Sequence, residues 1–184
     1  TAYDINYTTS PGVTAGMLTE QKGLIQRAAD YWRGWYIPNG VEVLYITQND
    51  GPWAANYIHQ NHPTWETKIS GGIQSWLSNY KCCFSFAFDD SLSEVFVQCL
   101  NTDNQNDPTY AQVGPHEYAH WVQYYHSLTE GVGISVADWL IEGSANFHGL
   151  ALGVMQTTPN LELVNLGLAQ HATSFDAGLF QVPP

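Results

Sequence analysis

His116 and His120 lie four residues apart, and Glu117 directly follows the first of them, in the stretch HEYAH. On an α-helix four residues advance about 400° and about 6 Å, so both imidazoles project from one face and can share one metal ion. Glu117 sits about 100° further round, able to reach a water molecule beside that ion but poorly placed to be a third ligand. The chemistry such a trio can do is metal-assisted hydrolysis, with the carboxylate as base. Gly114-Pro115 reads as a helix entrance, and no breaker interrupts the chain from there to Leu128, so the motif is expected on a helix.

A tetrahedral catalytic site takes three protein ligands and leaves one position open, so a third ligand is required. Two residues compete for that place. His126 lies ten residues after His116, the spacing of the metzincin pattern, with Met155 available for the Met-turn of that group. The glycine that lets such a chain turn back is replaced here by Gln123. On a continuing helix His126 falls about 80° off the His116 direction and about 9 Å beyond His120. Its other reading is a histidine near a helix C-terminus, favoured by the dipole. Glu142 is the second candidate, a carboxylate in the apolar stretch DWLIEGSAN that needs a partner if it is buried.

HEYAHWVQ followed by WLIEGSAN resembles the gluzincin branch of the zincin metallopeptidases, in which a W-L-x-E-G-x-A helix supplies a glutamate ligand. The matching positions are His116, Glu117, His120 and Glu142, with Trp139, Leu140, Gly143 and Ala145 around them. The resemblance implies one zinc held by His116, His120 and Glu142, and Glu117 as general base for hydrolysis of a peptide bond in a polypeptide substrate. An oxyanion-stabilising Tyr or His is also implied; Tyr124, Tyr125, His148 and His171 are available, with His171 marginally favoured because it is far enough downstream to fold back. Asp138 either orients a zinc imidazole or caps the ligand helix. Gly143 and Ala145 are small enough for the ligand helix to approach the motif helix closely. The implied fold is α+β and zincin-like: a mixed, twisted sheet over the active-site helix, with a short, mostly helical C-terminal part.

The remaining residues bound this reading. A length of 184 residues suits one domain, with an upper part at about 1–127 and a lower part at about 128–184. Five basic against 17 acidic residues give a net charge of −12, which argues against a nucleic-acid partner. No apolar run reaches the roughly 20 residues of a membrane span, and Thr1 opens no signal sequence, so a secreted protein whose export signal has been removed is expected. Cys82, Cys83 and Cys99 fall around a predicted hairpin of strands 82–88 and 94–100. If Phe88 faces Glu94, Cys83 faces Cys99 and can form a cross-strand disulfide; Cys82 to Cys99 needs a one-residue slip.

Helical spacing of Leu24, Ile25, Ala28, Ala29 and Trp32 predicts a helix over 18–35, and alternation predicts a strand over 41–47. Asn49-Asp50-Gly51-Pro52 reads as a turn, followed by an irregular Trp-rich stretch and a helix near 71–79. His59 and His62 read as loop or surface residues, and Asp103, Asn104, Asn106 and Asp107 as a weak calcium (Ca2+) possibility without the EF-hand glycine and terminal glutamate. The zincin resemblance also implies an open sheet edge to which an extended peptide adds, and strand 94–100, just before the motif helix, is the expected one. A non-catalytic binding or adhesion module of the same shape is the competing reading, suited to seven Trp and eleven Tyr. Against it stands Glu117, since a purely structural metal site has no use for a base.

Overall fold

The computed structural model describes residues 3–62, 85–89, 94–100, 111–129 and 138–154. The chain divides into two compact units, Thr1–Gly23 with Ile37–Asn106, and Leu24–Tyr36 with Asp107–Pro184. No described helix is long and apolar enough to cross a membrane.

The first unit is built on a four-stranded mixed sheet in the order β1, β2, β4, β3, from β1 (Asp4–Thr9), β2 (Asn39–Ile46), β3 (Ser85–Asp89) and β4 (Glu94–Cys99). β1, β2 and β4 run parallel, and β3 is antiparallel to β4. Paired on both sides, β2 reads as a nearly continuous apolar run, and Val41, Val43, Leu44, Tyr45 and Ile46 are all buried. Asp4 pairs with Asn39 and Ile5 with Val41, so Gly40 is an extra residue in β2; its φ of 74° is the left-handed conformation that a bulge residue adopts most cheaply as glycine. Tyr7 stacks on Tyr45 at 6.3 Å, and Lys22 Nζ lies 4.6 Å from the Tyr7 ring centre.

Three sequence expectations are corrected here. β4 is an interior strand with β2 on one side and β3 on the other, so among the described residues the antiparallel edge is β3. The β3–β4 register is displaced by one residue: Phe88 faces Val95, and Asp89 faces Glu94. The facing of Cys83 and Cys99 deduced from the other register therefore does not follow; Cys99 is disulfide-bonded, while Cys82 and Cys83 lie outside the described residues. Of the predicted turn Asn49-Asp50-Gly51-Pro52, Asn49 does lie in a turn, but Gly51 and Pro52 open α2 (Gly51–Asn61), with proline in its first turn, where a missing N–H costs nothing.

Asp50 leaves its N-cap amides alone and gathers strand ends instead. Its Oδ2 accepts from Ser10 Oγ, Thr47 Oγ1 and the Gly12 amide. At the other end of α2, His62 does not behave as a plain surface residue: its Nε2 lies 2.6 Å from Glu42 Oε2, while Tyr57 and Thr8 donate to Oε1 of the same carboxylate.

α1 (Ala15–Trp32) starts three residues before its predicted boundary, behind Thr14, whose Oγ1 accepts from the Met17 amide. Met17, Gln21, Leu24, Ile25, Ala28 and Ala29 are its buried stripe. In the second unit α3 (Val113–Thr129) carries HEYAH as expected, and α4 (Asp138–Gly149) carries Glu142 and runs on as a π-helical segment, Leu150–Val154. Leu24, Ala111, Leu150 and Val154 form a buried cluster, and Arg27 Nη1 donates to the Leu152 carbonyl at 3.0 Å. Gly143 does not mediate the approach of α4 to α3: a Cβ there would meet no atom within 4 Å. Gly149 and Gly153 do. A Cβ on Gly149 would lie 2.8 Å from the Gln112 carbonyl oxygen and 3.0 Å from His116 Cβ, and one on Gly153 would lie 2.0 Å from the Ala111 carbonyl oxygen.

Candidate metal centre

α3 is buried almost all round at its middle: Glu117, Tyr118, Ala119, His120, Trp121 and Val122 are all buried. Apolar side chains explain that burial for four of the six. An ionisable Glu117 only 5% exposed and a buried His120 are costly there unless polar partners compensate, so their presence marks a site rather than a packing face.

For His120 the compensation comes from α4. His116 Nε2 and His120 Nε2 lie 3.1 Å apart, and Glu142 presents Oε2 to His116 and Oε1 to His120, each at 3.5 Å. Donors at the corners of a tetrahedron with bonds of about 2.0–2.1 Å are separated by about 3.3–3.4 Å, close to the spacing of the two imidazole nitrogens, and one ligand atom from each of the three residues lies within 4.8 Å of the others. His116, His120 and Glu142 can therefore hold a metal ion. Glu117 Oε1 stands 4.0 Å from His116 Nε2, beside the three donors and outside their triangle. With its side chain 46% exposed, Glu142 is the side on which solvent reaches the cluster.

The electrostatics also favour a cation. Burial alone would push the His120 imidazole down, but the hydrogen bond to Glu142, the charge of Glu117 and the contact with Gln123 more than reverse this, and its pKa lies above the ordinary 6.5. Tyr124, one turn after His120 and with its ring 6.1 Å from the imidazole, is held above the ordinary 10.0 by burial and by the Glu117 and Glu142 charges. It is a neutral hydroxyl donor at neutral pH.

The other candidates fall elsewhere. His126 is outside the cluster, its ring 6.0 Å from Trp35 and 5.5 Å from Tyr125. His148 lies against Trp32 at 4.6 Å and Tyr31 at 5.8 Å, with Nδ1 donating to the Ser144 carbonyl. Tyr125 rests on Tyr36 at 5.3 Å, and His59 is an exposed residue of α2. His171, Met155, the Asp138 side chain and the Asp103–Asp107 run lie outside the described residues.

In the sequence Gln123 is marked only as the residue that breaks the metzincin pattern. Its side chain contacts His120 Nδ1 at 2.8 Å, the Ile141 carbonyl at 3.0 Å and Ser144 Oγ at 2.7 Å. The available signal was its spacing, three residues after His120 on the same helix face. No protein-family model, no curated protein and no solved structure matches this chain, so its functional reading rests on the residues of this site.

Proposed function

We propose that this chain is a zinc-dependent peptidase of the gluzincin type, with a zincin-like fold, in which His116, His120 and Glu142 hold the metal and Glu117 is the general base. The observation that carries the proposal is a buried carboxylate beside a three-donor cluster: Glu117 Oε1 lies 4.0 Å from His116 Nε2 without taking a corner of the triangle. A site that only stores a metal gains nothing from that buried charge and prefers a closed set of four ligands. This weighs against the adhesion-module reading. Two imidazoles and one carboxylate are a donor set that suits zinc, which when bound would lower the pKa of a water toward about 7 and polarise a scissile carbonyl.

Glu117 takes the proton that water loses as its oxygen adds to the carbonyl carbon. It returns a proton to the amine nitrogen as the C–N bond breaks, leaving a carboxylic acid and an amine. Tyr124, neutral and under the influence of both carboxylates, is the described side chain proposed to donate toward the developing oxyanion. The substrate proposed is an unstructured polypeptide, and the disulfide at Cys99 supports an extracytoplasmic setting.

The test is a pair of measurements on Glu117→Gln. The parent should bind about one zinc per chain and cleave casein. The variant should keep the zinc and lose cleavage by the roughly 100- to 10,000-fold attributed to a positioned base. Cleavage at the parental rate would sink the mechanism.

A further inference from the structure

Gln123 joins the two helices that supply the metal ligands, and its hydrogen bonds fix which ends of its amide face which partner. The Ile141 carbonyl can only accept, so the group 3.0 Å from it is the amide NH2. Ser144 Oγ, which donates its own hydrogen to that carbonyl at 3.0 Å, accepts from the same NH2 at 2.7 Å. The amide oxygen must then face His120 Nδ1, at 2.8 Å. An oxygen there requires a hydrogen on Nδ1, which leaves the lone pair of a neutral His120 on Nε2, the atom that points at His116 and Glu142.

The geometry points to Gln123 as the positioning residue of the metal centre, setting the tautomer and ring orientation of His120 with its oxygen and tethering the Glu142 segment of α4 to α3 with its nitrogen. The inference rests on the metal site of the proposed function and goes beyond it. One amide prepares two of the three ligands before any metal arrives, one directly and the other through its neighbour Ile141. Ordinary helix packing would not need this arrangement, because Ser144 already donates to the Ile141 carbonyl. A positioning role needs both ends of the amide.

The experiment compares the parent with Gln123→Ala and Gln123→Glu by zinc affinity, measured in competition with a chelating dye, and by the imidazole nitrogen resonances of the metal-free protein at pH 8. In the parent His120 should show a protonated Nδ1 and a bare Nε2. Gln123→Ala should lose that tautomer preference and bind zinc about 10- to 100-fold more weakly, the usual effect of removing such a partner. Gln123→Glu keeps an oxygen for Nδ1 but cannot donate to Ile141, so it should retain the His120 tautomer and still lose zinc affinity. A parent whose His120 carries its proton on Nε2, or variants that bind zinc as the parent does, would overturn the inference. If Gln123→Ala does not fold, the parental tautomer and the Glu variant decide it. Activity enters none of these readouts, so a parent that binds zinc but cleaves nothing counts against the proposed peptidase and leaves Gln123 judged on its own.

Discussion

Glu142 and His126 show why number of residues and position in space are different quantities. Ten residues separate His116 from His126, as a metzincin would have, yet the unbroken helix carries His126 to Trp35 and away from the imidazole pair. Glu142, 22 residues beyond His120 in sequence, arrives at 3.5 Å from both imidazoles because a second helix brings it back. Glu142→Ala should lower zinc affinity by more than the roughly 100-fold upper range seen for outer partners. His126→Ala should leave it unchanged, and the reverse ranking in a zinc titration would return the site to the metzincin reading. The candidate ligands were legible because helix periodicity alone aligns His116 with His120, and the WLIEGSAN pattern marks Glu142. Gln123 was less legible because its role depends on three partners, two of them on α4, and spacing within α3 reveals only His120.

Asp50-Gly51-Pro52 has the composition of a turn and also that of a helix start, and nothing local distinguishes them. The hairpin register depended on how many residues the connection occupies, and the error of one moved every facing pair. Of the two small residues expected to let α4 approach α3, Gly143 and Ala145, Ala145 is fully buried but Gly143 meets nothing within 4 Å, and the glycines with tight contacts to the start of α3 are Gly149 and Gly153. Alanine substitution separates these glycines. Gly143→Ala should be neutral or stabilising by up to about 1 kcal/mol, since alanine is the better helix former and nothing stands within 4 Å. Gly153→Ala forces a methyl to 2.0 Å from a backbone oxygen, so the backbone must move, at a cost of about 1–3 kcal/mol. Gly149→Ala presses on His116 as well as on Gln112, and should reduce zinc affinity along with stability. Urea midpoints of the metal-free variants, with a zinc titration for Gly149→Ala, check all three; a Gly143→Ala variant as damaged as Gly153→Ala would refute the assignment.

For the molecule as a whole, a net charge of −12 and a pI near 4.6 give acid two opposing effects. Protonating exposed carboxylates relieves self-repulsion as the pH falls toward the pI, which favours the folded state. Below it, loss of the carboxylates that the fold holds ionised dominates. Glu42 is one of these: burial would raise its pKa, but hydrogen bonds from His62, Thr8 and Tyr57, with the His62 charge, bring it below the ordinary 4.5. Asp50, held by Ser10, Thr47 and the Gly12 amide against its own desolvation, likewise lies below 3.8. For a group whose folded pKa is lowered, the stabilisation is present above the unfolded value and disappears as the pH falls through the folded one. The acid limb of the stability curve should therefore begin below about pH 4.5 and steepen as Glu42 and Asp50 take up protons. Glu42→Gln removes the charge that three donors converge on, at 13% side-chain exposure, and should cost about 1.5–3 kcal/mol at pH 7 while making the curve flatter below about pH 4.5. Urea unfolding of parent and variant at a series of pH values measures this directly. Parallel curves would show that Glu42 is not what the acid side titrates, whereas curves that converge as the pH falls would identify the His62–Glu42–Tyr57 cluster as a pH-dependent tie between β2 and α2.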